Sequence, residues 1–103
     1  MKLKNDVVIA GLRIEMRPVL LEAEKIWRDN GDELVVTAGL DGVHSAGSLH
    51  YYGYAVDLRI RNFDKNSIPG IAAKLKSALS SAYDVILHKT HIHVEYNDAK
   101  ENQ

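Results

Sequence analysis

The sequence contains no cysteine, which excludes a disulfide framework and every thiolate ligand or nucleophile. Any metal would have to be held by imidazole and carboxylate. No run approaches the roughly 20 apolar residues that a membrane-spanning helix requires, so no membrane partner is expected. The opening Met1-Lys2-Leu3-Lys4-Asn5-Asp6 is charged but has no apolar run of secretory length behind it. A signal peptide is therefore not expected, and the chain reads as made in the cytoplasm. Surplus charge is also lacking: 13 Lys plus Arg face 14 Asp plus Glu, for a net charge of −1. Without a block of like charge there is no electrostatic footprint of a nucleic-acid binder.

What is present is an ordinary globular composition, 46% hydrophobic and 26% charged over 103 residues, which excludes disorder and fibre. A chain of this length buries roughly two thirds of its unfolded surface, enough for one core. A single domain over 1–103 is expected, with the polar residues 97–103 as a frayed tail. From Leu12 to Trp27 the apolar residues recur three and four apart, which predicts an amphipathic helix. Pro18 either starts that helix or kinks it, and Asn30-Gly31-Asp32 stops it. Leu34–Thr37 reads as a buried strand, and residues 39–53, with four glycines, as a long functional loop. Tyr54–Ile60 alternates as a strand, Ile68–Ser80 is a second helix, and Tyr83–Leu87 and Ile92–Tyr96 are two more strands. This order predicts a small α+β domain with two main helices and a mainly antiparallel sheet.

All five histidines, at 44, 50, 88, 91 and 93, fall in the loop or around the last two strands. His91, His93 and Glu95 leave the same face of one predicted strand. Asp57 sits between Val56 and Leu58, where a strand interior disfavours aspartate, so it needs a metal, a salt bridge or a cap. One carboxylate with two imidazoles would make a three-ligand zinc site open to water, the catalytic pattern; a lone histidine, by contrast, is usually structural.

Ser48-Leu49-His50-Tyr51-Tyr52-Gly53-Tyr54-Ala55-Val56-Asp57 fits S-x-H-x-x-G-x-A-x-D, and His88-Lys89-Thr90-His91-Ile92-His93 fits H-x-x-H-x-H. Together, over about Val35 to Tyr96, they resemble the zinc DD-peptidase and hedgehog superfamily. That superfamily includes D-alanyl-D-alanine carboxypeptidases, murein endopeptidases and phage peptidoglycan peptidases. The resemblance implies a single zinc ion held by His50, Asp57 and His93, with His91 and His88 sharing proton transfer and transition-state stabilisation. It also implies a peptidoglycan stem peptide or cross-link as substrate, cleaved by zinc-activated water. One branch of the family carries a glutamate three residues before the last ligand. Thr90 stands there instead, and His88 matches the other branch. Ser48 reads as a partner of a ligand or as a loop serine bonding local backbone. Glu95 reads as orienting His91, as an acid–base, or as a structural ion pair. Tyr51, Tyr52 and Tyr54 offer rings and hydroxyls to a peptide groove, or pack and anchor the loop.

Relatives often carry a strand ending in S-G-Y-R-S, whereas Thr37-Ala38-Gly39-Leu40-Asp41 stands here. If that arginine grips a terminal carboxylate in the relatives, Asp41 at or near its position would repel one, which favours an endopeptidase or a different peptide substrate over a carboxypeptidase. Arg59 and Arg61 share the Asp57 face; they could substitute for that arginine only in part, and read rather as solvated or paired. His44 reads as a solvated loop residue or a substrate contact, and Trp27 as core. The expected place of action is the bacterial cell wall, reached as a phage-type lysin or a virion component. The second reading is a non-catalytic binding or virion-assembly domain of the same fold that keeps zinc for stability.

Overall fold

A computed structural model describes residues 1–40 and 53–97 of the chain. In order, these form β1 (Lys2–Leu3), a 3-10 turn (Ile14–Met16), α1 (Arg17–Asp29), β2 (Val35–Ala38), β3 (Ala55–Arg59), α2 (Ile68–Ala78), β4 (Tyr83–Leu87) and β5 (His91–Tyr96). The strands make one sheet in the order β1-β2-β3-β5-β4. Its β2–β3, β3–β5 and β5–β4 pairings are antiparallel, while β1 runs parallel to β2. The sheet is thus mixed, and the two-helix α+β plan holds. No helix among the described residues is long and apolar enough to cross a membrane.

Pro18 lies in the first turn of α1, where a missing N–H costs no intrahelical bond. The helix begins there and is preceded by the 3-10 turn. At its other end Gly31 takes φ +81°, and the Asp32 N–H reaches back to the Trp27 carbonyl at 3.0 Å, closing the last turn as a Schellman-type cap. Pro69 occupies the first turn of α2 in the same way.

Both helices cover one face of the sheet. Val19, Ala23 and Trp27 of α1 and Ile71 and Leu75 of α2 join Val36, Val56, Leu58, Ile92 and Val94 in one buried cluster. Trp27 is fully buried, as expected. Its indole Nε1 donates to the Arg59 carbonyl at 3.0 Å, so the one polar atom of the largest core side chain is satisfied. That bond also ties α1 to the end of β3.

Gly53, at the entry to β3, has φ +78°. A Cβ there would meet the Gly11 carbonyl oxygen at 2.5 Å, and its own carbonyl accepts from the Arg13 N–H at 3.0 Å. Only glycine fits both demands. At Asn97, the first residue of the expected tail, the backbone N–H donates to the Ala82 carbonyl at 2.7 Å. Residues 98–103 lie outside the described residues.

Candidate functional site

Side chains alternate across a strand, and this sheet uses the alternation fully. Val56 and Leu58 of β3 and Ile92 and Val94 of β5 point into the core. The residues between them, Asp57, Arg59, His91, His93 and Glu95, are therefore on the open face. Pairing aligns Ala55 with Glu95, Asp57 with His93 and Arg59 with His91. The separation of 36 residues between Asp57 and His93 is closed by register alone.

His93 lies between two carboxylates. Its Nδ1 is 2.8 Å from Asp57 Oδ1, and its Nε2 is 3.3 Å from Glu95 Oε1. The hydrogen bond to Asp57 raises the His93 pKa above 6.5, opposed by desolvation and aided by the negative charge of Asp57 and Glu95. Glu95 therefore meets His93, not His91. The second oxygen of Asp57 faces His91 Nε2 at 3.8 Å. His91 is anchored instead by its neighbour, with Thr90 Oγ1 at 2.9 Å from Nδ1. His88, across the two-residue turn, lies with its ring centroid 4.8 Å from that of His91 and 6.2 Å from that of His93. The His88 N–H donates to the His91 carbonyl at 2.9 Å, which closes the hairpin and fixes the two rings side by side.

Of the residues singled out from the sequence, the fold brings Asp57, His93, Glu95, His91 and His88 together. Ser48, His50 and Tyr52 lie outside the described residues, as do Asp41, His44 and Tyr51. Tyr54 packs: its ring stacks on Tyr96 at 5.9 Å and carries the Arg13 guanidinium at 5.5 Å.

Among the described residues no group of three or more His, Asp and Glu side chains is arranged to hold a metal ion. The third expected ligand, His50, is not among them. The two described donors suit zinc in chemistry, and Glu95 on His93 Nε2 stands where an outer carboxylate would orient the imidazole if it ligated a metal. Two ligands on a tetrahedral zinc stand about 3.3 Å apart. The 2.8 Å between Asp57 and His93 is a hydrogen bond that must open slightly and give up its proton to admit the ion.

A cleft of about 630 Å³ runs from this group toward β1, with Thr37, Ala38, Asp57, Thr90 and His91 in its wall. That volume suits a small ligand or a short peptide. Thr37 Oγ1 donates to the Asp57 carbonyl at 3.4 Å, joining β2 to Asp57 in the cleft wall. Neither threonine stood out in the sequence as a partner of the site. Thr90 had a signal in its position directly before His91. No protein-family model matches the sequence, and no curated protein matches it either.

Proposed function

We propose that the chain is a zinc-dependent peptidase that hydrolyses a peptide bond in bacterial peptidoglycan, of endopeptidase or D,D-carboxypeptidase type. One observation carries the reading. Asp57 and His93 are in register on adjacent strands, Glu95 backs His93, His91 and His88 stand beside them, and Asp57 and His91 form part of the wall of a cleft. A purely structural ion pair would need neither the third and fourth titratable side chains nor the cleft.

His50, Asp57 and His93 would hold the ion, and zinc when bound supplies an electrophile and a water that loses its proton near neutral pH. Glu95 keeps the His93 ring in one tautomer and orientation. Thr90 turns the His91 ring so that Nε2 faces the Asp57 side of the cleft. A protonated His91 there puts positive charge beside the carbonyl oxygen as the substrate becomes tetrahedral, the charge-stabilising role that matters most in acyl transfer. His88, one ring away, passes protons between His91 and solvent. In this reading the site of action is the bacterial cell wall, reached as a phage-type lysin or a virion component.

The test is incubation of the zinc-loaded protein with purified peptidoglycan, followed by mass analysis of released peptides. Discrete products from the wild type, reduced about 10²–10⁴-fold in His91→Ala with zinc content unchanged, are expected. A zinc-loaded wild type that releases nothing contradicts the reading. If that inactive wild type and His91→Ala bind peptidoglycan equally, the domain is a zinc-stabilised binding module.

A further inference from the structure

The open face is polarised. At one end of the β5 row stands Glu95, with Asp84 of β4 as its cross-strand partner. At the other end stand His91 and its partner Arg59. Beyond Arg59 the cleft wall adds Lys4 from the segment after β1, Arg61 and Lys65 from the connection to α2, and Lys89 from the β4–β5 turn. Asp57 is the only acid among the cleft's described lining residues, and it is engaged with His93. None of the five cations is ion-paired with a described residue. In a chain of net charge −1, this is a strong local segregation of positive charge, and nothing in the fold requires it. Arg59 holds the core through its backbone carbonyl, not its guanidinium, while Lys4, Arg61, Lys65 and Lys89 are exposed.

We infer that this basic end is a carboxylate subsite, and that the charge gradient fixes the direction in which an acidic peptide lies across the site. The inference rests on the peptidase reading and gives it a substrate class. Arg59 is two residues along β3 from Asp57, about 7 Å. A carboxylate bound there belongs to a residue one or two positions from the scissile bond. A guanidinium accepts a carboxylate through two parallel hydrogen bonds, and the lysines around it add attraction without added geometry. The opposite orientation would bring that carboxylate against Glu95 and Asp84. A short peptide, not a nucleic acid, is the ligand favoured by a cleft of about 630 Å³ and by Phe63 as the one aromatic among its described lining residues, since single strands bind on several stacked rings.

The probes are a cross-linked peptidoglycan stem-peptide dimer ending in D-Ala-D-Ala with free carboxylates, the same peptide with every carboxylate amidated, and a single-stranded oligonucleotide. Each is titrated into the zinc-loaded protein by NMR, in wild type, in Arg59→Gln/Lys89→Gln and in His91→Ala. The free peptide should bind about 10- to 100-fold tighter than the amide, the scale of charge-assisted hydrogen bonds. The double variant should lose that preference while keeping its zinc and its fold, and His91→Ala should keep the preference. Preference without turnover in the wild type would end the peptidase reading and leave the subsite standing. Turnover with equal affinity and equal rate for both peptides would do the reverse. Tighter binding of the oligonucleotide, no binding of either peptide, or a preference that survives Arg59→Gln/Lys89→Gln would overturn the subsite.

Discussion

The two faces of the sheet are built from the same strands and differ in almost everything else. On the covered face Val36, Val56, Leu58, Ile92 and Val94 are fully buried against Trp27, Ile71 and Leu75. On the open face, one residue out of step, stand Asp57, Arg59, His91, His93 and Glu95, each partly exposed. A period of two lets one strand give one face to the core and the other to the polar cluster without compromise. The core holds the register rigidly, and the register sets the spacing of the polar groups. Asp57 and His93 are at 2.8 Å because Leu58 and Ile92 pair beside them.

Substitutions on the two faces should therefore fail differently. The largest effect on stability should come from Leu58→Ala, which leaves a cavity under the sheet and should cost about 2–5 kcal/mol, read as a lowered denaturant midpoint. Any protein that still folds should keep the zinc affinity proposed for the open face. Equal loss of stability and zinc binding would show that the faces are not separable.

Asp57→Asn is the converse. Without metal it removes a charge-assisted hydrogen bond to His93 and should cost about 1.5–3 kcal/mol where His93 is protonated. Because His93 holds its proton more tightly in the folded chain, its contribution is full below the unfolded pKa of about 6.5. It is lost as pH rises through the raised folded value. Metal-free wild type should thus be stabilised on the acid side of this window relative to Asp57→Asn, and the two curves should converge above it. Parallel curves would refute the pairing.

Gly53→Ala tests the joint between the faces. The added Cβ meets the Gly11 carbonyl at 2.5 Å at positive φ, a strain of about 1–3 kcal/mol. It should lower the thermal midpoint and shift the start of β3, which leads directly to Asp57. The smallest effect on stability belongs to His88→Ala: its side chain is exposed, and such substitutions stay within about 0.5 kcal/mol. Activity should nonetheless fall if His88 relays protons.

The elements that could be read from the sequence were those with strong local patterns. Alternation gave β3 and the hairpin, Pro18 and Gly31 bounded α1, and the parity of His91, His93 and Glu95 put them on one face. Lys2–Leu3 carries no such pattern. Two exposed residues become a strand only because β2 offers an edge, with the Lys2 N–H bonded to the Leu34 carbonyl at 2.8 Å. The partner of Glu95 was equally hidden, since parity places a side chain on a face without choosing between His91 and His93. The basic end of the cleft gathers Lys4, Arg59, Lys65 and Lys89 from four separate segments, and no single stretch of chain announces it.

The most direct test of the open face as a zinc site is the metal content of the protein, purified without added metal, beside Asp57→Ala, His93→Ala and His91→Ala. One equivalent of zinc in the wild type and His91→Ala, and none in the other two, is the expected result. A wild type that takes up no zinc even after reconstitution, or an Asp57→Ala variant that binds it as well, would contradict the account.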